Sequence, residues 1–209
     1  SILKILEEHK VTFLFWVPTI MVNIANMDLL SSIQLPALKT VWFAGEVFPT
    51  KQFNYWRKML PQTTFANLYG PIEITLDCTC FIVNREIKDE ESIPIGFPCR
   101  NTDILILDAD NKLVTEAGKE GELCVRGTSL AMGYYNNPEK TASAFVQNPL
   151  NHAYPETIYR TGDVVVINER GEIVFKGRKD TLIKHMGYRT ELGEIEHIII
   201  CLLYTSPSP

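Results

Sequence analysis

The sequence predicts an α/β fold in which parallel βα units are followed by an antiparallel β portion. In the first half, short runs of β-branched and aromatic residues alternate with helical patterns, which is typical of parallel βα units. In the second half, short strand patterns are separated by turn-forming clusters, which is typical of antiparallel strands. The 209 residues, 45% hydrophobic and 22% charged, are enough to bury a sizeable core.

The first half begins with the pattern of a helix end. Residues 1–10 place apolar positions between charges, as an amphipathic helix does, and the start of that helix is expected to be missing. Three apolar runs then predict strands, the first of them a buried strand that Pro18 stops, at 11–17, 38–44 and 63–69. Between the last two, the apolar spacing predicts a helix over 49–60, with Pro49 suited to its first turn.

The second half predicts short strands and two helices. The strands are expected at 102–107, 122–126, 164–167 and 173–175. The last two form a hairpin around the turn at 168–171. One helix begins with Asn137 as its cap and Pro138 in its first turn, and runs to about Phe145. Glutamates near the start of 190–200 favour a final helix there.

Composition excludes several classes of function. The net charge is −5, from 20 Lys and Arg against 25 Asp and Glu, and basic residues form no block. Such a chain is unsuited to sequence-independent binding of nucleic acid or of an anionic membrane. The longest apolar run, 198–204, is far shorter than the roughly 20 residues that span a bilayer. Five cysteines without a secretory signal predict reduced thiols and a cytoplasmic protein.

The segment 67–73, NLYGPIE, is the richest in possible chemistry. A strand there delivers Tyr69 and then Glu73 across a Gly-Pro turn, at the sheet edge where ligands of α/β proteins bind. Glu73 could hold Mg²⁺ beside phosphates, and Tyr69 could stack on a base. Taken alone, the segment also fits a structural turn with a surface glutamate, and that interpretation is favoured.

Two further segments carry polar side chains at turns. In 159–163, YRTGD, Asp163 directly follows a glycine as the chain enters a strand, so its carboxylate could accept bonds from two vicinal hydroxyls. A plain turn aspartate is the alternative. Residues 177–196 alternate glycines and charges around a predicted strand, turn and helix, which also fits a solvated basic hairpin. Cys78 and Cys80 lack the second Cys/His pair that a zinc site needs.

The order of the motifs is more specific than any one of them. NLYGPIE is followed by GELCVRG, GYYNNPEKT, YRTGD and finally GRKDTLIKHMGYR with ELGEIE. In this order they resemble the adenylate-forming enzymes, which include adenylation domains of nonribosomal peptide synthetases, D-alanine–carrier protein ligases, acyl-CoA synthetases and luciferases. The strings GELCVRG and LAMGYYNNPEKTASAF most resemble the amino-acid-activating branch. The resemblance runs from about residue 11 to residue 200.

The resemblance implies a ligase that uses ATP and Mg²⁺. In that family a carboxylic acid attacks the α-phosphate of ATP, giving an acyl-adenylate and pyrophosphate, and a pantetheine thiol then takes the acyl group as a thioester. The implied partners are an amino acid as the small-molecule substrate and an acyl or peptidyl carrier protein. Two alternatives stay open: a fragment of an acyl-CoA synthetase that activates a fatty or aryl acid, and a nucleotide-binding or carrier-interaction module without turnover.

The resemblance also assigns roles to single residues. Glu73 is implied to be the catalytic carboxylate associated with Mg²⁺, Tyr69 to pack on adenine, Asp163 to accept from the ribose hydroxyls, and Arg178 to lie near ribose and phosphates. The implied nucleotide-binding set is completed by Asn67, Gly70 and Ile72. Asp180 resembles the family's hinge, and the catalytic-loop positions that would enter the site for thiolation are Lys184 and Gly187.

An acyl pocket is implied beside the turn at Gly45. Its expected lining is Trp42, Ala44, Gly45, Leu68, Leu76 and Asp77. Trp42 is large and would shorten the pocket, and a buried Asp77 would need a partner such as a substrate amine. These features point to a small or polar amino acid. Ordinary core packing is the alternative for each of these residues.

The sequence departs from the family pattern at several points. Ile72 stands where the family usually has Thr or Ser, and it cannot donate a hydrogen bond. A bond to a charged group contributes roughly 1.5–3 kcal/mol, so adenylation could slow by an order of magnitude. The family's phosphate loop, the pocket Asp that grips the amino group and the catalytic lysine are not found. The chain by itself is therefore expected not to catalyse adenylation.

These departures give the expected domain organisation. Residues 1–177 would be the C-terminal part of the large AMP-binding domain, with its parallel βα units and antiparallel β portion. Residues 178–200 would be the hinge and the start of the small α+β C-terminal domain. Residues 201–209 turn apolar and then Ser-Pro, which is expected of a non-native tail.

Overall fold

The computed structural model describes residues 2–179, 182–185, 188–191 and 199, and it confirms the predicted α/β class. In chain order the helices and strands are α1 (Ile2–Glu8), β1 (Phe13–Trp16), α2 (Pro18–Asn26), β2 (Thr40–Ala44), α3 (Thr50–Met59), β3 (Thr64–Tyr69), β4 (Thr79–Ile82), β5 (Phe97–Pro98), β6 (Thr102–Leu107), β7 (Glu120–Gly127), α4 (Pro138–Ala144), β8 (Phe145–Gln147), β9 (Thr157–Ile167), β10 (Ile173–Arg178), β11 (Leu182–His185) and β12 (Tyr188–Glu191).

The first sheet has the order β1-β2-β3-β4-β5. Its first three strands are parallel, as the βα pattern predicts, and β4 and β5 then join antiparallel. Helices α2 and α3 pack on one face through a core that includes Met21, Phe43, Phe53 and Trp56. Trp56 is fully buried and its Nε1 donates to the Met21 carbonyl oxygen at 2.9 Å, so the polar end of this side chain is satisfied.

The opposite face of the first sheet stays partly exposed. Phe13 and Phe15 of β1 meet Trp42 of β2 edge to face, with ring centroids 5.0 and 6.2 Å apart, and Trp42 is 38% exposed. The prediction that this strand is buried was therefore wrong for one face of β1. The strand lies at the edge of the sheet, and its Leu14 and Trp16 face the helices and the core.

The second sheet is antiparallel, in the order β10-β9-β7-β6, and β8 pairs with β9. The predicted strands and the β9–β10 hairpin are confirmed, although β7 and β9 are longer than expected. A second core lies against this sheet. It includes Leu123, Val125 and Val165 of the second sheet together with Tyr69 and Ile74 from the end of the first. The carboxyl end of β3 is therefore packed onto the antiparallel sheet.

The helices follow their predicted caps with some differences. Asn137 caps α4 by accepting the Lys140 N–H at 3.0 Å, as predicted. Pro49 lies at the N-cap of α3 and not in its first turn. Helix α2 was not predicted, because Pro18 was interpreted as the stop of a strand, whereas it is the first residue of this helix.

The last described elements differ in part from prediction. The hairpin of β11 and β12 agrees with the predicted strand and turn, but the expected helix over 190–200 was wrong at its start. Thr190 and Glu191 belong to β12, because they pair with Ile183 and Leu182. Asp180, Gly187 and the segments 192–198 and 200–209 lie outside the described residues. Within the described part of the chain, every helix is too short or too polar to cross a membrane.

Candidate functional site

A cavity of about 830 Å³ lies where the carboxyl ends of the first sheet meet the second sheet. Seven of the residues singled out from the sequence line it: Gly45, Asn67, Leu68, Tyr69, Gly70, Asp163 and Arg178. The first five come from the ends of β2 and β3, where ligands of parallel sheets bind. The other two come from β9 and β10. The fold therefore joins two distant stretches of sequence in one cavity.

Asp163 is a buried carboxylate of this cavity with donors from two strands. It is 1% exposed, and its carboxylate accepts a hydrogen bond from the Tyr69 hydroxyl and another from Arg178 Nη1 at 2.5 Å. Burial and the neighbouring Asp163 carboxylate raise the pKa of Tyr69 well above its ordinary value. Tyr69 therefore keeps its proton and serves as a donor at neutral pH.

Asp163 was expected at the start of a strand, and that expectation was wrong. Strand β9 begins at Thr157 and continues through Gly162 and Asp163. The chain can continue because the β7–β9 ladder shifts its register here, and Gly162 adopts the left-handed backbone region with φ of +72°. The aspartate thus projects from a bulge inside a long strand.

The turn after β3 is closely packed. A Cβ on Gly70 would overlap the Leu76 carbonyl oxygen and the Cα of Asp77, so glycine is required at this point. The Cys78 N–H closes the turn by donating to the Tyr69 carbonyl oxygen at 2.7 Å. Asn67 lies two residues before Tyr69 on the same face of β3. Its side-chain amide donates through Nδ2 to the Pro94 carbonyl oxygen at 2.8 Å. The backbone around Tyr69 is therefore tightly fixed.

Glu73 is buried, so the interpretation of a surface glutamate was wrong. Its Oε1 accepts the Tyr134 hydroxyl at 2.6 Å, and Lys140 Nζ lies 5.3 Å from the centre of the Tyr134 ring. Tyr134 was not singled out from the sequence, although it belongs to the quoted GYYNNPEKT motif. Neither Glu73 nor its neighbour Ile72, which is 80% exposed, is among the residues that line the cavity.

Only some of the expected acyl-pocket residues line the cavity. Gly45 and Leu68 line the cavity, whereas the other four are outside its lining: Trp42, Ala44, Leu76 and Asp77. Strand pairing places Trp42 beside Ala66 and Ala44 beside Leu68, so these side chains share the face of the sheet that also carries Phe13 and Phe15. Their role as an acyl pocket stays a prediction.

Candidate metal ligands are few among the residues whose positions are described. In the residues that the structure describes there is no group of three His, Cys, Asp or Glu side chains that could hold a metal ion. Mg²⁺ bound through substrate phosphates needs only one or two carboxylates, and the buried Glu73 is a ligand of that type. For Cys78, burial raises the pKa of the thiol to about 12, so it is not the thiolate that zinc prefers.

The family model described as AMP-binding enzyme matches residues 1–135. Zwittermicin A synthase ZmaJ of Bacillus cereus is 36% identical over 205 residues, covering 96% of this chain and 38% of that protein. Tyrocidine synthase 3 of Brevibacillus parabrevis is 38% identical over 194 residues, or 93% of this chain and 3% of that protein. L-proline–(L-prolyl-carrier protein) ligase of Streptomyces coelicolor is 35% identical over 193 residues, 91% of this chain and 35% of the ligase. The chain thus spans at most 38% of these relatives.

Solved structures give the same picture. Holo-PA1221, a nonribosomal peptide synthetase protein with adenylation and PCP domains, superimposes with a TM-score of 0.86 at 27% identity, covering 94% of this chain and 34% of that one. The Vibrio cholerae adenylation domain AlmE, solved with glycyl-adenosine-5′-phosphate, superimposes with a TM-score of 0.83 at 29% identity, covering 95% and 37%. IdnL1 gives 0.85 at 31% identity, covering 92% and 40%.

Proposed function

This chain belongs to the AMP-binding enzyme family, and we propose that it is part of an ATP-dependent ligase that activates an amino acid as its adenylate. The predicted resemblance to adenylation domains of the nonribosomal peptide synthetase type is confirmed by its relatives. In the proposed reaction the amino-acid carboxylate attacks the α-phosphate of ATP, forming an aminoacyl-adenylate and releasing pyrophosphate. AlmE, a structural relative with glycyl-adenosine-5′-phosphate bound, supports an amino acid over a fatty or aryl acid.

One observation carries this proposal: Tyr69, Asp163 and Arg178 meet in a single cavity. Asp163 would accept from the two ribose hydroxyls, because a carboxylate has about four acceptor positions and the described bonds from Tyr69 and Arg178 use two. The Tyr69 ring would stack on adenine, and the Arg178 guanidinium would offset phosphate charge. These groups act by positioning the nucleotide and by neutralising charge.

The remaining roles follow the resemblance. Glu73 would hold Mg²⁺, which when bound neutralises charge on the phosphates. The acceptor of the activated amino acid would be the pantetheine thiol of a carrier protein. Support comes from PA1221, whose structure contains a PCP domain, and from the prolyl-carrier protein ligase. Residues 1–177 would belong to the large domain. Asp180 would be the hinge to the small domain, with Lys184 in the hairpin that follows.

Calorimetric titration of the 209-residue chain with ATP tests the nucleotide site. The wild-type chain should bind ATP, and Asp163→Asn should weaken binding by tenfold or more, because bonds to a charged acceptor contribute about 1.5–3 kcal/mol each. Asp103→Asn is the matched control, since Asp103 forms an exposed ion pair with Arg126 at 3.1 Å on the same sheet. Wild-type binding that is absent, or unchanged by Asp163→Asn, would contradict the proposal.

Turnover is a separate question. The chain alone is expected to bind ATP but not to exchange pyrophosphate into ATP, because the family's phosphate loop and catalytic lysine are not found in it. The measurement is amino-acid-dependent pyrophosphate exchange with the purified chain. Exchange above the level without amino acid would show that residues outside these two elements suffice.

A further inference from the structure

Glu122 has no role in the site as described above, although it is the second residue of the GELCVRG motif. It lies on β7 and is 5% exposed. Its Oε2 accepts three bonds, from Arg160 Nε at 3.0 Å, Arg160 Nη2 at 2.6 Å and Lys179 Nζ at 3.2 Å. Its Oε1 accepts the backbone N–H of Gly162 at 3.1 Å. The buried carboxylate thus accepts four hydrogen bonds from three residues, and two of these residues, Gly162 and Lys179, are the chain neighbours of Asp163 and Arg178.

The partner of Oε1 belongs to the bulge that carries Asp163. Glu122 pairs with Val164 and Cys124 pairs with Arg160, so the single residue between them, Leu123, faces the three residues 161–163. These three residues cannot all keep their ladder hydrogen bonds. The N–H of residue 162 is instead satisfied by Glu122, and a buried N–H without such a partner would be costly.

Thr161 completes the bulge. Its hydroxyl donates to the Leu123 carbonyl oxygen at 2.7 Å and accepts the Asp163 N–H at 3.0 Å. Two side chains therefore fix the backbone around Gly162: Glu122 binds the N–H of Gly162, and Thr161 binds the N–H of Asp163. Because a bulge sets the direction of the side chain that follows it, these bonds set the direction of Asp163.

The partners of Oε2 tie the bulge to the strand that carries Arg178. Lys179 bonds to Glu122 through its side chain, and its backbone N–H donates to the Gly162 carbonyl oxygen at 2.8 Å. Burial alone would raise the pKa of Glu122, but the bonds and charges of Arg160 and Lys179 outweigh it and lower that pKa. Glu122 is therefore ionised at neutral pH, and it holds the residue next to Arg178.

We propose that Glu122 is a positioning residue of the nucleotide site. It fixes the bulge 161–163, both directly and through Lys179, and through the bulge it holds the Asp163 carboxylate in the cavity. This inference rests on the proposed function, since it presupposes that the cavity binds a nucleotide. Glu122→Gln keeps the shape of the side chain but loses its charge and turns an amide NH₂ toward the donors, so the bulge should lose its fixed geometry.

The test compares ATP with 2′,3′-dideoxy-ATP, because Asp163 is proposed to bind the ribose hydroxyls. The wild-type chain should prefer ATP at least tenfold in calorimetric titration. Glu122→Gln should weaken ATP binding about tenfold and leave dideoxy-ATP binding within about threefold, so that the preference for ATP is largely lost. A general loss of structure would weaken both nucleotides together and leave their ratio unchanged.

Glu156→Gln is the matched control. Glu156 also accepts bonds from an arginine and an amide, namely Arg126 Nη1 at 3.0 and 3.1 Å and Asn148 Nδ2 at 2.5 Å, but it is outside the cavity lining. The Glu156→Gln chain should keep the wild-type preference for ATP, even if its midpoint of thermal unfolding falls as far as that of the Glu122→Gln chain. Should Glu122→Gln fail to fold, Lys179→Gln removes one donor to Glu122 and is expected to reduce the ATP preference about threefold.

The outcomes separate the two proposals. If the wild-type chain binds neither nucleotide, the nucleotide site itself is wrong. A second outcome is that the wild-type chain prefers ATP and the Glu122→Gln chain keeps that preference. Glu122 is then not a positioning residue, but the nucleotide site is still supported. The Lys179→Gln chain replaces Glu122→Gln in this comparison if Glu122→Gln does not fold. Loss of the preference in the Glu156→Gln chain as well would assign the effect to general destabilisation and would also overturn this inference.

Discussion

Asp163 receives bonds from both sheets at once. Tyr69 reaches it from β3 of the first sheet, and Arg178 reaches it from β10 of the second. Because the carboxylate is almost completely buried, losing either donor would leave part of its charge poorly satisfied. The same three side chains therefore serve both the proposed nucleotide site and the contact between the sheets.

Tyr69→Phe tests the structural part of this arrangement. Removing the hydroxyl deprives the buried carboxylate of one donor, so the free energy of unfolding should fall by about 1–3 kcal/mol in urea titration. Tyr135→Phe is the control, because Tyr135 is fully exposed and should change stability by no more than about 0.5 kcal/mol. Equal stability of the Tyr69→Phe chain and the wild-type chain would show that the hydroxyl bond contributes nothing net.

Ile72→Thr tests the departure from the family pattern. Ile72 is highly exposed, so its replacement should leave the free energy of unfolding within about 0.5 kcal/mol of wild type. The threonine hydroxyl supplies the donor that the family usually has near the phosphates. Calorimetric titration should therefore show ATP binding strengthened up to about tenfold with AMP binding unchanged. If the affinities for ATP and AMP changed by the same factor, the threonine hydroxyl would not act on the β- and γ-phosphates, and the prediction would be wrong.

Residues of the cavity could be predicted where a short motif carries them. Tyr69, Asp163 and Arg178 each lie in a string that resembles the family, and the structure brings them together. Glu122 could not be found in this way, since its role depends on a register shift between two strands. Tyr134 was missed for a similar reason, because only the fold brings it to Glu73, 61 positions earlier in the chain.

Helix α4 is connected to the candidate site through its N-terminal side. Asn137 caps the helix, and Thr141 of its second turn accepts the backbone N–H of Tyr134 at 2.9 Å. Tyr134 in turn donates to Glu73. The capped helix thus supports the aromatic side chain that holds the proposed metal ligand.

Asn137→Ala should destabilise α4. The side chain satisfies the Lys140 N–H, and loss of such a cap costs about 1 kcal/mol of stability in urea unfolding. Asn137→Asp retains the acceptor and should remain within a few tenths of a kcal/mol of wild type. If alanine and aspartate were equally destabilising, the cap could not be the source of the effect.

At the scale of elements, periodicity predicted the strands with clear boundaries. Strands β2 and β3 and helix α3 lie within one or two residues of their expected ranges, since turn residues flank them. Helix α2 was missed because its proline fits a strand end as well as a helix start. Strand β12 was taken for a helix start because glutamates suit a helix N-terminus, but pairing with β11 outweighs that local preference.

A second group of ionic contacts joins the two sheets at the border of the cavity, where Glu91 is one of the lining residues. Arg85, in the segment after β4, bonds Glu91 at 2.5 Å and Glu172 beside β10 at 2.9 Å. Asn168 Nδ2 also donates to Glu172, at 2.7 Å. The network connects the first sheet to the β9–β10 hairpin of the second, so its loss should loosen the junction that forms the cavity.

This network predicts a pH dependence of stability. The hydrogen bond from Arg85 lowers the pKa of Glu91, and for Glu172 the bonds from Arg85 and Asn168 outweigh the effect of burial and lower its pKa as well. A carboxylate whose folded pKa lies below its ordinary value of 4.5 stabilises the fold fully above that value. The stabilisation is lost as the pH falls through the folded pKa values.

Arg85→Gln should therefore reduce the free energy of unfolding by about 1.5–3 kcal/mol at pH 7, and it should also flatten the loss of stability below pH of about 4.5. Urea unfolding across this pH range measures both effects. Arg100→Gln, at an exposed position, should leave the slope of the pH curve as it is in the wild-type chain. An unchanged slope in the Arg85→Gln chain would remove this network as the cause.

The exposed aromatic face of the first sheet has a spectroscopic consequence. Of the three tryptophans, Trp42 lies on that face, whereas Trp56 is fully buried and stacks edge to face on Trp16 with ring centroids 6.5 Å apart. A neutral quencher such as acrylamide should therefore quench the fluorescence of Trp42 at much lower concentrations than that of Trp56. The native chain thus contains two separable fluorescent probes, one reporting whatever covers the open face of the sheet and the other reporting the integrity of the helical core.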